Sequence, residues 1–313
     1  MRAAIYLTLA TLFWAGNFVV GHAAVETMAP LQLTFWRWAL AALPLLVLAQ
    51  AIDRPDWRAV LRQWPRLLLL SCLGMTGYTL LLYSALGHTS ALNASLVTAA
   101  NPALIMILAV VLFRDRPAPV SWLGIALGLA GVLLVLTGGE LHRLLTFSLK
   151  AGELLILAAI TMWAGYTVLA RRQSLPAITS TAVQVAMAAA VLAPIAAATG
   201  TGLPSDPAEA WSLAFIVVFP SLGSYLLWNL ALKRTTPANA GNYLNLIAVF
   251  TAIITMLLGQ PITVPQVLGG ILVISGVLLT SVGQRHGGPQ RPRSSKSTSS
   301  SASSSPAPAP RPR

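Results

Sequence analysis

Long apolar runs dominate the chain, and short polar stretches interrupt them at regular intervals. An α-helix needs about 20 predominantly apolar residues to cross a bilayer, and the runs reach that length repeatedly. The pattern predicts ten helical segments, at residues 3–22, 31–50, 66–86, 92–113, 119–138, 152–170, 178–199, 211–232, 238–258 and 265–283. We therefore predict an all-α integral membrane protein with ten transmembrane helices.

The two halves of the chain share a sequence pattern. Short motifs of the first five segments return in the last five, with Trp14-Ala15-Gly16 matching Trp163-Ala164-Gly165, Pro44 matching Pro194, Tyr78 matching Tyr225, Ala85-Leu86 matching Ala231-Leu232 and Gly131-Val132-Leu133-Leu134 matching Gly276-Val277-Leu278-Leu279. Because five is an odd number of spans, the second copy enters the membrane from the opposite side. Inverted repeats of this kind are typical of secondary transporters, which bind substrate at the repeat interface.

Basic residues are divided unevenly between the two sets of loops. One set and the tail hold Arg2, Arg54, Arg58, Arg62, Arg66, Arg114, Arg116, Arg171, Arg172, Lys233, Arg234 and six tail residues, whereas the alternate loops hold only Arg143 and Lys150. Cytoplasmic loops carry an excess of Lys and Arg, so both termini are predicted to be cytoplasmic. We expect a multi-pass protein of the bacterial plasma (inner) membrane.

Repeats and composition divide the chain into four parts. We predict a first repeat at 1–138, a connecting loop at 139–151, a second repeat at 152–283 and a disordered, basic Ser/Pro-rich cytoplasmic tail at 284–313. The tail has too few large apolar groups to fold. Segment 1 has a short basic start like a signal peptide, but its Trp14 motif has a counterpart in the second half, so we expect it to be retained.

The composition excludes several classes of protein. Only 9% of residues are charged, far fewer than in soluble domains. The net charge of +12 lies in loops and the tail, which argues against a nucleic-acid partner. The chain has no ATP-binding P-loop, no catalytic motif and no metal-ligand spacing among its four histidines, so we expect no enzyme, no catalytic residue, no metal site and no cofactor.

Arg37 is the only strongly basic residue placed well inside a predicted apolar helix. A charged side chain at that depth is costly unless it is paired, hydrated or extended toward the interface. One interpretation is that Arg37 extends outward or pairs with Glu26 or Glu153. The other is that it binds a substrate carboxylate or phosphate in a wet cavity. Its counterpart in the second half is Met187, so this charge has no repeat partner.

Several other polar and aromatic residues are candidates for a cavity. Asn101-Pro102 predicts a bend in segment 4, because proline cannot donate a backbone hydrogen bond. Polar and aromatic side chains recur at helical spacing in segments 1, 3, 6, 8 and 9. Together with Arg37, the predicted substrate-binding residues are Trp14, Asn17, Tyr78, Tyr83, Asn101, Trp163, Tyr166, Tyr225, Asn229 and Asn245. Interfacial aromatic belts and interhelical hydrogen bonds are the alternative.

The same residues resemble the drug/metabolite transporter superfamily, specifically the EamA family. The resemblance is carried by Phe13-Trp14-Ala15-Gly16-Asn17-Phe18, Phe35-Trp36-Arg37, Asn93-Ala94-Ser95, Asn101-Pro102, Trp122-Leu123-Gly124 and their second-half counterparts, over residues 3–283. It implies two inverted five-helix repeats and export of amino acids, other metabolites or amphiphilic compounds, in some members with protons. The family often has Glu where this chain has Asp115 and Gln260, which leaves those positions without an expected role.

The sequence therefore predicts a secondary transporter that exports small metabolites such as amino acids or amphiphilic compounds by alternating access. The expected partners are a small-molecule substrate and the lipid bilayer; one chain holds both repeats, so a monomer is sufficient and a homodimer is possible. The segments carry no mid-membrane carboxylate, so exchange, facilitated movement and protonation of Glu153 or Glu26 all stay open as energy sources. An integral-membrane enzyme and a non-transporting scaffold or sensor are the alternatives.

Overall fold

The computed structural model describes residues 2–113, 119–140, 150–170, 173–232, 234 and 243–286, and these form helices and no strand. The helices are α1 (Arg2–Ala24), α2 (Pro30–Ile52), α3 (Trp57–Leu61), α4 (Trp64–Leu70), α5 (Tyr78–Leu86), α6 (Ala91–Thr98), α7 (Asn101–Phe113), α8 (Pro119–Thr137), α9 (Ala151–Ala170), α10 (Ala177–Ala198), α11 (Pro207–Ile216), α12 (Ser224–Leu232), α13 (Leu246–Leu257) and α14 (Val264–His286). Two π-helical stretches, Ser71–Gly77 and Val217–Gly223, join α4 to α5 and α11 to α12.

Apolar helices long enough to cross a bilayer recur along the described part of the chain. Seven helical stretches have that length and composition, and three shorter apolar helices lie within α8, α13 and α14. Each predicted segment overlaps an apolar helix, although residues 238–242 of the ninth segment lie outside the described part of the chain. The protein is a multi-pass membrane protein. The short helix α3 was not predicted. Helix α14 extends to His286, so the first residues of the predicted tail, 284–286, are helical. The remaining tail residues, 287–313, lie outside the described part of the chain.

Segments 3 and 8 are not uniform α-helices as the apolar pattern predicted. Each contains a seven-residue π-helical stretch followed by a nine-residue α-helix. The stretches begin and end 146 residues apart, so the repeat is present in the irregular backbone as well as in the sequence. This register pairs Tyr78 with Ser224, and the sequence match of Tyr78 to Tyr225 is displaced by one residue.

Proline and glycine account for the π-helical geometry. Pro220 has no N–H to donate to the carbonyl of Ile216, and the Ser221 hydroxyl donates to that carbonyl over 2.7 Å instead. Both stretches end on glycine. A Cβ at Gly77 would lie 2.7 Å from the Cys72 carbonyl oxygen, so the wide turn leaves no room for a side chain there.

Helices of each half pack against helices of the other half. Helix α1 packs against α12 and α13, and its counterpart α9 packs against α5 and α7. The counterpart pairs α2 with α10 and α8 with α14 pack directly against each other. Each half therefore completes its packing with helices of the other half, and neither is an independent globular unit.

Both of these counterpart pairs are antiparallel. In the α8–α14 pair, Gly131 approaches Gly269 whereas Gly124 approaches Gly276. In the α2–α10 pair, Asp53 after the end of α2 accepts hydrogen bonds from the N–H and hydroxyl of Thr179, each at 2.9 Å, near the start of α10. At the other end, the Trp36 indole donates to the Gly202 carbonyl over 2.7 Å.

The α8–α14 crossing yields a stability prediction. A Cβ at Gly276 would lie 2.5 Å from the Gly124 carbonyl oxygen and 2.6 Å from the Gly128 nitrogen, both of which are backbone atoms that cannot move aside. We expect Gly276→Ala to separate the helices and to destabilise the protein by about 1–3 kcal/mol, which is typical of overpacking. Thermal unfolding of the detergent-solubilised protein measures this.

Gly128→Ala is the matched control, because a Cβ at Gly128 meets nothing within 4 Å. It should leave the melting temperature unchanged or raise it slightly through its better helix propensity. Equal destabilisation by the two substitutions would contradict backbone contact as the reason for glycine at Gly276.

Candidate functional site

A cavity lies between helices of both halves. It contains about 810 Å³ of empty space, including its open side. Its lining residues come from α1, α2, α5, α6, α7, α9, α12, α13 and the turn before α13. They are Trp14, Asn17, Phe18, Arg37, Trp38, Tyr78, Thr79, Ser95, Thr98, Ala99, Asn101, Ile105, Trp163, Tyr225, Leu244, Asn245 and Ile247.

Eight of the eleven predicted site residues line this cavity: Trp14, Asn17, Arg37, Tyr78, Asn101, Trp163, Tyr225 and Asn245. Tyr83 is fully buried behind the wall, where it hydrogen-bonds Arg37. Tyr166 lies against Trp163, with ring centroids 5.2 Å apart. The side chain of Asn229 lies outside the described part of the structure. The structure thus brings most of the set together, and its role in substrate binding stays a prediction.

The hydrogen-bond partners of Arg37 among the described residues are all neutral side chains on the cavity wall or behind it. Its Nε donates to Ser221 Oγ over 2.9 Å, and its Nη1 donates to Asn17 Oδ1 over 3.2 Å and to the Tyr83 hydroxyl over 2.6 Å. The Tyr83 hydroxyl in turn donates to Asn17 Oδ1 over 2.8 Å. The guanidinium is therefore oriented by a closed network, and its positive charge is not neutralised by any of these partners.

The position of Arg37 argues against the interpretation that it extends to the interface or pairs with a glutamate. The residue is only 5% exposed, so the side chain does not extend to the aqueous interface. Neither Glu26 nor Glu153 is among its partners in the described residues; Glu153 accepts a hydrogen bond from the Lys150 N–H over 2.8 Å at the start of α9. The guanidinium carbon lies 4.4 Å from the centroid of the Trp38 ring, a cation–π contact that partly offsets the loss of hydration.

Irregular backbone positions the hydroxyl of Ser221, which accepts a hydrogen bond from the Arg37 guanidinium. Ser221 belongs to the π-helical stretch of the second half, and its hydroxyl both donates to the Ile216 carbonyl and accepts from Arg37. Because Pro220 leaves that carbonyl without its usual donor, the serine hydroxyl satisfies two groups at once. One half thus supplies the charge, and the other half supplies part of its support.

Two groups of aromatic side chains flank the cavity. In the first, Trp14 lies 5.8 Å from Tyr225 and 5.4 Å from Trp228 between ring centroids. In the second, Trp163 lies 4.9 Å from Tyr78 and 5.2 Å from Tyr166. These tilted and edge contacts bury a large apolar area. Trp14 and Trp163 are the repeat counterparts at the centre of each group.

Sequence reasoning missed several wall residues. Trp38 follows Arg37 directly, and its indole donates to the Met75 carbonyl over 3.1 Å. Ser95 and Thr98 precede Asn101 at three-residue intervals, a spacing that places small hydroxyls on the same helical face. The three-residue spacing could have identified Ser95 and Thr98 as cavity candidates from the sequence. No such signal marks Ile105 or Leu244, which differ in nothing from lipid-facing apolar residues.

The polar groups of the site are those of a ligand-binding cavity. Among the described residues, no group of three His, Cys, Asp or Glu side chains is close enough to hold a metal ion. The described lining residues of the cavity include no acidic side chain. The wall offers one cation, amide and hydroxyl groups, and aromatic faces, which can bind and orient an anionic amphiphile.

The Arg37 network yields a prediction at Tyr83. Replacing Tyr83 with Phe removes the hydroxyl that accepts from Arg37 and donates to Asn17, leaving both buried groups with one partner fewer. We expect a loss of about 1–3 kcal/mol in stability, the usual cost of unsatisfied buried polar groups. Thermal unfolding in detergent measures it. Tyr6→Phe is the control, because the Tyr6 hydroxyl makes only a 3.4 Å contact at an exposed position; an equal loss there would contradict the interpretation.

Comparison with known proteins gives transporters throughout. An uncharacterized transporter of Bacillus subtilis, YyaM, is 32% identical over 287 residues, covering 88% of this chain and 93% of its own length. An uncharacterized transporter of Archaeoglobus fulgidus is 30% identical, covering 90% and 97%. A probable terminal-alkyne amino-acid exporter of Streptantibioticus cattleyicolor is 25% identical, covering 89% and 93%.

The fold also matches a crystal structure with a TM-score of 0.66 at 20% identity, covering 90% of this chain and 98% of the other. The EamA-like transporter family matches residues 1–137 and 150–282. The two matched regions cover the helices that build the cavity, and the resemblance drawn from the sequence motifs is confirmed. The chain is a membrane transporter that belongs to the EamA-like transporter family.

Proposed function

We propose that the protein exports small anionic or zwitterionic metabolites, such as amino acids, from the cytoplasm by alternating access. In this mechanism the substrate carboxylate binds Arg37 in the central cavity. The helices that line the cavity then reorient, and the substrate leaves on the other side of the membrane. Amino acids are favoured by the name of one relative, a probable amino-acid exporter.

The observation that carries the proposal is the buried, unneutralised charge of Arg37. All three of its hydrogen-bonding partners are neutral, so a bound anion gains both a Coulomb interaction and a charge-assisted hydrogen bond. A charged residue inside a membrane protein is costly, and such residues mark substrate pathways. A substrate carboxylate would complete the ion pair that the fold leaves open.

The two aromatic groups support alternating access. They are related by the repeat and flank one cavity, with Trp14 in one and Trp163 in the other. We propose that each group closes the cavity toward one side of the membrane. The antiparallel packing of α8 with α14 supports the further proposal that the repeats, 1–138 and 152–283, are inverted in a ten-span fold joined by the loop 139–151.

Arg37 yields a transport prediction. Arg37→Gln keeps hydrogen-bonding capacity but removes the charge, and we expect export of anionic substrates to fall by about tenfold or more. Arg37→Lys keeps the charge but loses the Nε and Nη1 geometry, so it should retain part of the activity. Efflux from cells preloaded with a panel of labelled amino acids and amphiphiles, at matched membrane expression, measures both.

Arg58→Gln is the control, since Arg58 is an exposed residue on α3 and does not line the cavity. Its efflux should equal that of the unsubstituted protein. If Arg37→Gln exports every substrate of the panel at the unsubstituted rate, the anchor role of Arg37 is wrong. Repeating the assay with a protonophore tests whether export depends on the proton-motive force.

Orientation yields a separate prediction. We propose a plasma-membrane protein with both termini and the tail, residues 284–313, in the cytoplasm, because the basic loops fall on that side. A green fluorescent protein fused to the C-terminus should fluoresce, and alkaline phosphatase fused at the same place should be inactive. The reverse pair of results would contradict this orientation. One chain holds both repeats, and we propose that a monomer is sufficient for transport.

A further inference from the structure

The wall of the cavity formed by the junction of α6 and α7 contains oxygen atoms that lack hydrogen-bond donors. Helix α6 ends at Thr98 and α7 begins at Asn101, so the helix is interrupted within a membrane segment. Pro102 has no N–H to donate to the Thr98 carbonyl four residues earlier. Ala103 donates to the Ala100 carbonyl and not to that of Ala99. The Thr98 and Ala99 carbonyls therefore lack their usual helical donors, and both residues line the cavity.

Side chains of the same wall add lone pairs. The Asn101 side chain is nearly fully buried, and its Oδ1 has no hydrogen-bond partner among the described residues. The hydroxyl protons of Ser95 and Thr98 are already used, since Ser95 donates to the Leu92 carbonyl and Thr98 to the Ala94 carbonyl, each over 2.8 Å. Their remaining lone pairs are acceptors.

The charge of this wall limits its ligand. A buried acceptor without a donor costs about 1–3 kcal/mol, so the unpartnered Asn101 oxygen points to a group that the structure does not contain. Dipoles without a carboxylate suit a monovalent cation, whereas Ca²⁺ and Mg²⁺ prefer carboxylate ligands. In membrane proteins, the C-terminal ends and freed carbonyls of broken helices bind such cations.

We propose that the α6–α7 junction, with Asn101 Oδ1 at its centre, is a binding site for a monovalent cationic group. This proposal rests on the proposed function, because it makes the cavity bipolar, with an anion site at Arg37 and a cation site at Asn101. The cationic group has two possible sources. It is the ammonium group of a zwitterionic substrate, or it is a free Na⁺ that binds together with an anionic one.

The test uses the full-length purified protein in lipid nanodiscs and two ligands that differ only in the amino group. L-Phenylalanine carries both charges, and 3-phenylpropanoate carries the carboxylate alone. Binding is followed by the fluorescence of the cavity tryptophans Trp14, Trp38 and Trp163. Each titration is made in Na⁺ and again in N-methyl-D-glucamine, for the unsubstituted protein and for Asn101→Leu, Asn101→Asp and Arg37→Gln.

If the ammonium group is the ligand, the unsubstituted protein binds phenylalanine about tenfold more tightly than 3-phenylpropanoate in either salt, and Asn101→Leu abolishes that preference. If Na⁺ is the ligand, both compounds bind about tenfold more tightly in Na⁺, and Asn101→Leu abolishes that dependence. Asn101→Asp should strengthen whichever effect is present, so the proposal stays testable if Asn101→Leu does not fold. Leu112→Ala, at an exposed position on α7, is the control and should change neither effect.

The proposal is overturned if the unsubstituted protein shows neither the amino-group preference nor the Na⁺ dependence, or if either effect persists unchanged in Asn101→Leu. The anion site is judged separately from the 3-phenylpropanoate titration in Arg37→Gln. Equal affinity there would overturn the Arg37 anchor while leaving the cation site in place. Failure of both ligands to bind in both salts would overturn both sites.

Discussion

A single positive charge inside an apolar bundle is the constraint on which the rest of the site depends. Arg37 is buried, and it is oriented by Asn17, Tyr83 and Ser221, none of which can neutralise it. A guanidinium in such surroundings is tolerated only if its donors are satisfied and its charge reaches polarisable or wet space. The polarisable surface is the ring of Trp38, and the wet space is the cavity. The burial of this charge therefore supports the proposed binding of an anion at Arg37.

Irregular backbone is the means by which the bundle supports this charge. A straight α-helix in a membrane presents only side chains, because its carbonyls and N–H groups are paired with each other. The π-helical stretch around Pro220 and the break between α6 and α7 change that, each at a proline. One gives Ser221 a double role, and the other leaves carbonyls next to Asn101 without their helical donors. The first irregularity contacts Arg37 on the cavity wall, and the second contributes wall residues directly.

The apolar pattern was sufficient for the element order because membrane insertion depends on segment length and hydropathy. It could not reveal the π-helical stretches, since Ser71–Gly77 and Val217–Gly223 contain no charged residue that would interrupt the apolar pattern. Arg37, Tyr83 and the Trp14 motif were recognisable as candidates because each is unusual in a membrane helix. The position of Tyr83 behind the wall and the contact of Ser221 with Arg37 required coordinates, because they depend on which residues meet across the bundle. The same is true of the alternative pairing of Arg37 with Glu26 or Glu153, which the described residues do not show.

The contacts between counterpart helices have a consequence for how such a chain arose. Gly131 meets Gly269 and Gly124 meets Gly276, which are the contacts that two identical five-helix proteins would form across a two-fold axis if they inserted in opposite orientations. In such a homodimer every wall residue would be present twice, and two guanidiniums would repel each other in one small cavity. A single chain with two differing halves has no such requirement, and Met187 stands at the position of the second half that corresponds to Arg37. Two differing halves allow the pocket to hold one charge, and an asymmetric pocket can distinguish the two ends of an asymmetric substrate.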